Sequence, residues 1–109
     1  MLGEGVPFQT IDWSEIKEER HAGETGTATW RTVQVGGRRL RVVEYSAGYL
    51  ADHWCSRGHI VFVLEGELQT ELEDGSKHIL YSGMTYVVSN DVGRHRSSTP
   101  DGARLFIVD

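Results

Sequence analysis

The sequence has one cysteine, no long apolar run and no surplus of positive charge, and each shortage closes off a class of protein. A lone Cys55 cannot form an internal disulfide, so the chain is not a disulfide scaffold and nothing in it points to an oxidising compartment. The longest strongly apolar run, Ile60 to Leu64, is far too short to cross a bilayer as a helix. Acidic residues outnumber basic ones by 16 to 11, for a formal net charge of -5, and they are scattered rather than gathered in a tail. That balance favours solubility and argues against a nucleic-acid partner. The one basic pair, Arg38 and Arg39, follows Gly36 and Gly37 and reads as a solvated hairpin tip. The opening stretch MLGEGVPFQTIDW lacks the basic start and apolar centre of a signal peptide. The expectation is a cytoplasmic protein with neither membrane nor nucleic acid as partner. Internal repeats and low-complexity tracts are also missing, which removes solenoids from consideration.

What is present fits a single domain. A chain of 109 residues leaves no room for a second core, and 39% hydrophobic with 25% charged residues is ordinary globular usage. Residues 1–27 read as an N-terminal arm and short helix. Within them Val6 to Ile11 is extended, and DWSEIKEER offers Asp12 as a cap with Glu15 at the reciprocal position, enough for one or two helical turns. HAGETGTA then reads as loop.

From Ala28 to residue 109 the pattern is all-β. Short strand-like runs are separated by turn signals at Gly36-Gly37, Ala47-Gly48, Glu65-Gly66, Asp74-Gly75 and Ser82-Gly83. ELQTELE alternates Leu68, Thr70 and Leu72 against charged neighbours, so its strand has one wet face. IVFVL does not alternate and predicts a strand covered on both faces. Six to eight strands in so short a chain bury one face and hide their edges best as a small sandwich or barrel.

Chemistry concentrates in DHWCSRGH, residues 52 to 59, which holds two histidines and the only cysteine. Read as a strand, His53 and Cys55 face together while Asp52 and Trp54 face away. His59 opens the next strand, with Val61 and Val63 following it inward and Phe62 and Leu64 facing outward.

The stretch GYLADHWCSRGHIVFVLEGEL resembles the first motif of the cupin superfamily, G(X)5HXH(X)3-4E(X)6G. Gly48 precedes His53 by one residue less than the pattern, Cys55 takes the second His, His59 takes the Glu, and Gly66 falls at the correct spacing. GMTYVVSNDVGRHRSST is similar to the second motif, G(X)5PXG(X)2H(X)3N, with Gly83 in place, Ser89 for Pro, Asp91 for Gly, one extra loop residue before His95, and Thr99 for Asn. The resemblance covers roughly residues 40 to 109, and the sequence looks closest to the small single-domain bacterial cupins named for a DHCW motif. It implies a jelly-roll β-barrel.

The resemblance also implies a metal set of His53, Cys55, His59 and His95. Imidazole and thiolate favour zinc, nickel, iron or copper over magnesium and calcium, and zinc is the plainest choice. Cys55 either completes that shell or stands beside it as a small buried residue. With Cys55 inside, four protein ligands make a closed, structural site; with Cys55 outside, three histidines leave room for a ligand. Tyr45, Tyr49, Tyr86, Arg94 and Arg96 lie near the pocket by alternation or loop position, and an arginine at the barrel mouth can recognise a carboxylate. Three functions stay open: an enzyme acting on a small polar molecule, a module that binds or senses a small ligand or metal, and a structural metal site. Outward apolar residues, Trp54 among them, point to a surface covered by the arm or by a second copy, and a homodimer is expected.

Overall fold

The computed structural model describes residues 2–109. Its strands are β1 (Glu19–Ala22), β2 (Thr27–Val35), β3 (Arg38–Tyr45), β4 (His59–Leu72), β5 (Lys77–Tyr81), β6 (Thr85–Val88), β7 (His95–Ser98) and β8 (Ala103–Val108). All pair antiparallel, in the order β1-β2-β3-β8-β4-β5, with β6 and β7 also on β4. This is the jelly-roll β architecture expected.

The 14-residue strand β4 organises the barrel. Its first half pairs with β6 and β8, and its second half with β5 and β7. Between them the pairing with β8 slips at Val63/Glu65, where Gly66 adopts φ +81° and a side chain would collide with the carbonyl of Gly102. The Glu65-Gly66 signal therefore marks a bulge that bends one continuous strand between two sheets, not the hairpin turn the dipeptide predicts. Opposite it, isolated bridges from Leu50 to Thr25 and Ser98, and from Cys55 to His95, stitch the two sheets together.

The core lies between the sheets. Val43, Val61, Val63, Leu68, Leu80, Leu105 and Ile107 form one buried cluster, against which Trp30, Tyr45 and Tyr86 pack. IVFVL contributes only one face to it. Val61 and Val63 are buried, whereas Ile60 and Phe62 remain 39% and 38% exposed, so the expectation of cover on both faces is corrected. Trp13 packs edge-on against Phe106, the cross-strand partner of Phe62, with ring centroids 6.1 Å apart.

The arm carries a single 3-10 turn where one or two helical turns are expected. Asp12 caps a single 3-10 turn, Trp13–Glu15, accepting hydrogen bonds from the Ser14 amide and hydroxyl. Glu15 contributes through its backbone N–H to the Asp12 carbonyl. Arg31 on β2 donates to the Ile16 carbonyl and pairs with Glu18, which holds the arm on the sheet. His21 and Ala22, expected in a loop, pair with Ala28 and Thr27 as the end of β1.

Candidate metal centre

Alternation on three neighbouring strands builds one wall of the barrel interior. Arg39, Arg41, Val43 and Tyr45 on β3 share a face. Ala103, Leu105 and Ile107 on β8 continue the same inward phase, and Asp109 follows it. His59 precedes Val61 and Val63 on β4. Valines and leucines fill the closed end, while the charged residues come together at the other.

Three ligand-type side chains meet there. Ligating atoms of Cys55, His59 and His95 all lie within 4.8 Å of one another. His59 Nε2 is 2.9 Å from His95 Nε2 and 3.7 Å from Cys55 Sγ. Two backbone hydrogen bonds fix Cys55 beside His95, from Cys55 N–H to the His95 carbonyl (2.8 Å) and from His95 N–H back to the Cys55 carbonyl (3.0 Å). The loop from β6 that delivers His95 passes through Asp91 at φ 57°, a left-handed position that aspartate tolerates and where the similar motif carries glycine.

Behind His59 stands a buried carboxylate. Asp109 Oδ2 accepts from His59 Nδ1 at 2.9 Å and from Arg41 Nη2 at 2.8 Å, while Oδ1 accepts from Arg39 Nε at 2.8 Å. Arg57 Nη1 lies 3.7 Å away. Burial alone would raise the Asp109 carboxyl, but the hydrogen bonds from Arg39 and His59 and the charges of Arg41 and Arg39 outweigh it and hold the group ionised well below the usual carboxylate range. This contact selects the His59 tautomer with Nδ1 protonated, so Nε2 presents its lone pair to Cys55 and His95. The hydrogen-bond contact with His59, whose Nε2 can accept the thiol proton, lowers the Cys55 thiol against the opposing effect of burial. Burial pushes the His95 imidazole down, favouring its neutral, ligating form.

The donor set fits a zinc-type ion. Around a tetrahedral zinc, with Zn–N about 2.1 Å and Zn–S about 2.3 Å, two nitrogens stand about 3.4 Å apart and a nitrogen and a thiolate sulfur about 3.6 Å. The 3.7 Å separation matches, the 2.9 Å one opens by about 0.5 Å on binding, and the remaining pair, within 4.8 Å, closes by at most about 1.2 Å, shifts that side-chain rotation can supply.

The fourth residue implied by the sequence, His53, does not join them. Residues 51 to 58 form bends and loop apart from the Cys55 bridge, so the two-residue alternation that would put His53 beside Cys55 does not operate. The His53 ring is 67% exposed and contacts Asp52 Oδ1 at 2.7 Å. Tyr45, Tyr49 and Tyr86 do line the cavity of about 190 Å³ in front of the cluster, Tyr45 and Tyr49 stacked with centroids 4.2 Å apart. Burial raises all three phenols, so they stand there as neutral hydroxyls. Arg94 lies outside the cavity, paired with Glu73. Arg96 donates to the Ala51 carbonyl, its guanidinium 6.0 Å from the Trp54 ring.

Sequence reasoning missed Arg39, Arg41, Arg57 and Asp109. The signal for Arg39 and Arg41 was their phase with Val43, and for Asp109 its phase with Leu105 and Ile107. The pair Arg38-Arg39 looked like a solvated tip, yet Arg39 turns inward.

Fold and site together define a cupin-type barrel with a candidate metal centre at its open end. No protein-family model matches the sequence and no curated protein does. Solved cupin structures match it along nearly its whole length. An RmlC-like cupin from Shewanella frigidimarina is 15% identical, with a TM-score of 0.77 over 94% of this chain and 90% of that one. Ectoine synthase from P. lautus is 19% identical, with a TM-score of 0.75 over 93% and 76%. A predicted oxalate decarboxylase from Thermotoga maritima is 15% identical, with a TM-score of 0.75 over 92% and 96%. The protein has the cupin fold.

Proposed function

We propose that Cys55, His59 and His95 hold one divalent transition metal, zinc the plainest candidate and nickel, iron or copper the alternatives, and that the cavity in front binds a small polar molecule. The observation that carries this reading is the convergence of three soft or borderline donors inside 4.8 Å, with His59 oriented from behind by Asp109. With only three protein ligands, a bound metal would keep a position open for a further ligand. A metal there supplies Lewis acidity to whatever small molecule occupies the cavity. Arg39, Arg41 and Arg57 attract and orient the ligand, the tyrosine hydroxyls donate hydrogen bonds, and the apolar floor excludes water.

Binding without turnover is the second reading, and one observation favours it. The carboxylate nearest the centre, Asp109, is already engaged by Arg39, Arg41 and His59, so it is not free to act as a general base. Among solved structures of similar fold, ectoine synthase and the predicted oxalate decarboxylase are named for activities, which supports catalysis as a use of this fold.

Metal content of untagged protein, measured by mass spectrometry after growth with zinc, nickel, iron and copper supplied, tests the site. The expected result is close to one ion per chain, lost in His59→Ala and His95→Ala, reduced in Cys55→Ser and kept in His53→Ala. Metal-free wild type under those conditions refutes it.

A further inference from the structure

We infer that the cavity is a receptor for a small anion carrying a carboxylate group. This deepens the preceding reading by naming the ligand class, and it rests on that reading only for the cavity being a ligand site, not for the metal.

Charge is the first argument. Three guanidiniums, those of Arg39, Arg41 and Arg57, line the cavity, and no aspartate or glutamate does. Asp109 compensates one of the three charges and Cys55 as thiolate a second, which leaves the wall electropositive, while Asp52, paired with the cavity-lining His53, is exposed and screened by solvent. This occurs in a chain whose net charge is -5, so the positive cavity is a local construction rather than a reflection of the whole surface.

Unused hydrogen-bonding capacity is the second. Arg41 lines the cavity with its side chain only 6% exposed, and its Nε is buried with no hydrogen-bond partner among the described residues. A buried guanidinium N–H left unpaired is costly, and a ligand oxygen within its reach would relieve it. Arg57 lines the cavity half-exposed, its guanidinium 3.7 Å from Asp109, too long for a direct hydrogen bond, so its N–H donors are available to an incoming anion. Planar guanidiniums hold a carboxylate through paired N–H donors, and the apolar part of the lining, Val61, Leu105 and Ile107, suits the carbon body of an organic acid over a bare inorganic oxyanion. At about 190 Å³ the cavity is smaller than the roughly 300 Å³ and more of drug-sized sites, so the ligand is a small acid.

Calorimetric titration with acetate, malonate, succinate and inorganic phosphate tests this, on protein stripped with chelator and on zinc-loaded protein, at low and high salt. The expected result is saturable one-to-one binding of at least one carboxylate to both forms, weakening as salt rises. Arg57→Gln should weaken it about tenfold, whereas Arg20→Gln, an exposed arginine on β1, should leave it unchanged. Arg41→Lys retains the charge but loses the paired donors and should also weaken binding. Absence of saturable binding to either form overturns the proposal, as does full affinity in both Arg57→Gln and Arg41→Lys. Preference for phosphate over every carboxylate overturns the ligand class, and binding to the zinc-loaded form alone transfers recognition from the arginines to the metal. Carboxylate binding by protein that takes up no zinc would retain this inference while removing the metal reading.

Discussion

Replacing Asp109 by Asn should destabilise the protein far more than a typical surface substitution. The Asp109 side chain is 1% exposed and that of its partner Arg41 6%, so the pair is effectively inside the protein. Removing one charge of a buried pair leaves the other uncompensated, at a cost of about 3–5 kcal/mol. Asn keeps an oxygen that can accept from one guanidinium, which places the expectation at the lower end, about 3 kcal/mol. With an unfolding entropy of roughly 2.1 cal/mol/K per residue, that corresponds to a melting temperature about 13 °C lower for a chain of this length. The Arg41→Met, Asp109→Asn double variant should recover part of the loss, because the stranded charge is gone. Calorimetry on metal-free protein measures both. A loss below about 1 kcal/mol in Asp109→Asn would show that the carboxylate is not the counter-charge of the buried arginine, and the reasoning from burial would fail.

Three further expectations follow the same chemistry. His95 is held below its ordinary value of 6.5 by burial, so the unfolded chain binds its proton more readily; stability of the metal-free protein should fall as pH drops below about 6.5, and His95→Gln should flatten that slope in urea titrations. Asp109 is likewise depressed, and its contribution, present above about pH 4, should disappear as acid approaches its folded value, a loss that Asp109→Asn should abolish. Gly66→Ala places a Cβ at φ +81° against the Gly102 carbonyl and should cost about 2 kcal/mol or more by chemical denaturation; a neutral result would contradict the bulge.

The sequence carried the barrel well because its signals are local and periodic. Alternation in ELQTELE appears as buried Leu68 and Thr70 beside wetter neighbours, and four of the five glycine-bearing turn signals join separate strands. It misled where a local signal has two structural outcomes. Gly66 has the positive φ of a turn glycine but bends a strand, and the run from Ile60 to Leu64 is apolar on both sides though only one enters the core. The site was legible as far as its donors: Cys55, His59 and His95 converge. Residues 52 to 54 are not a strand, so the two-residue alternation that groups His53 with Cys55 has no backbone to act on. Asp109 and the inward arginines depend on pairing between β3, β8 and β4, residues about seventy positions apart in the case of Arg39 and Asp109. Periodicity within one segment cannot supply such a contact.

The three donors either share one ion or leave the 2.9 Å contact between His59 and His95 to a shared proton. Diffraction from zinc-grown crystals, recorded on both sides of the zinc absorption edge, separates these directly. The expected result is an anomalous peak among Cys55 Sγ, His59 Nε2 and His95 Nε2, with no contact from His53. Fully ordered side chains with no anomalous density between them would contradict it.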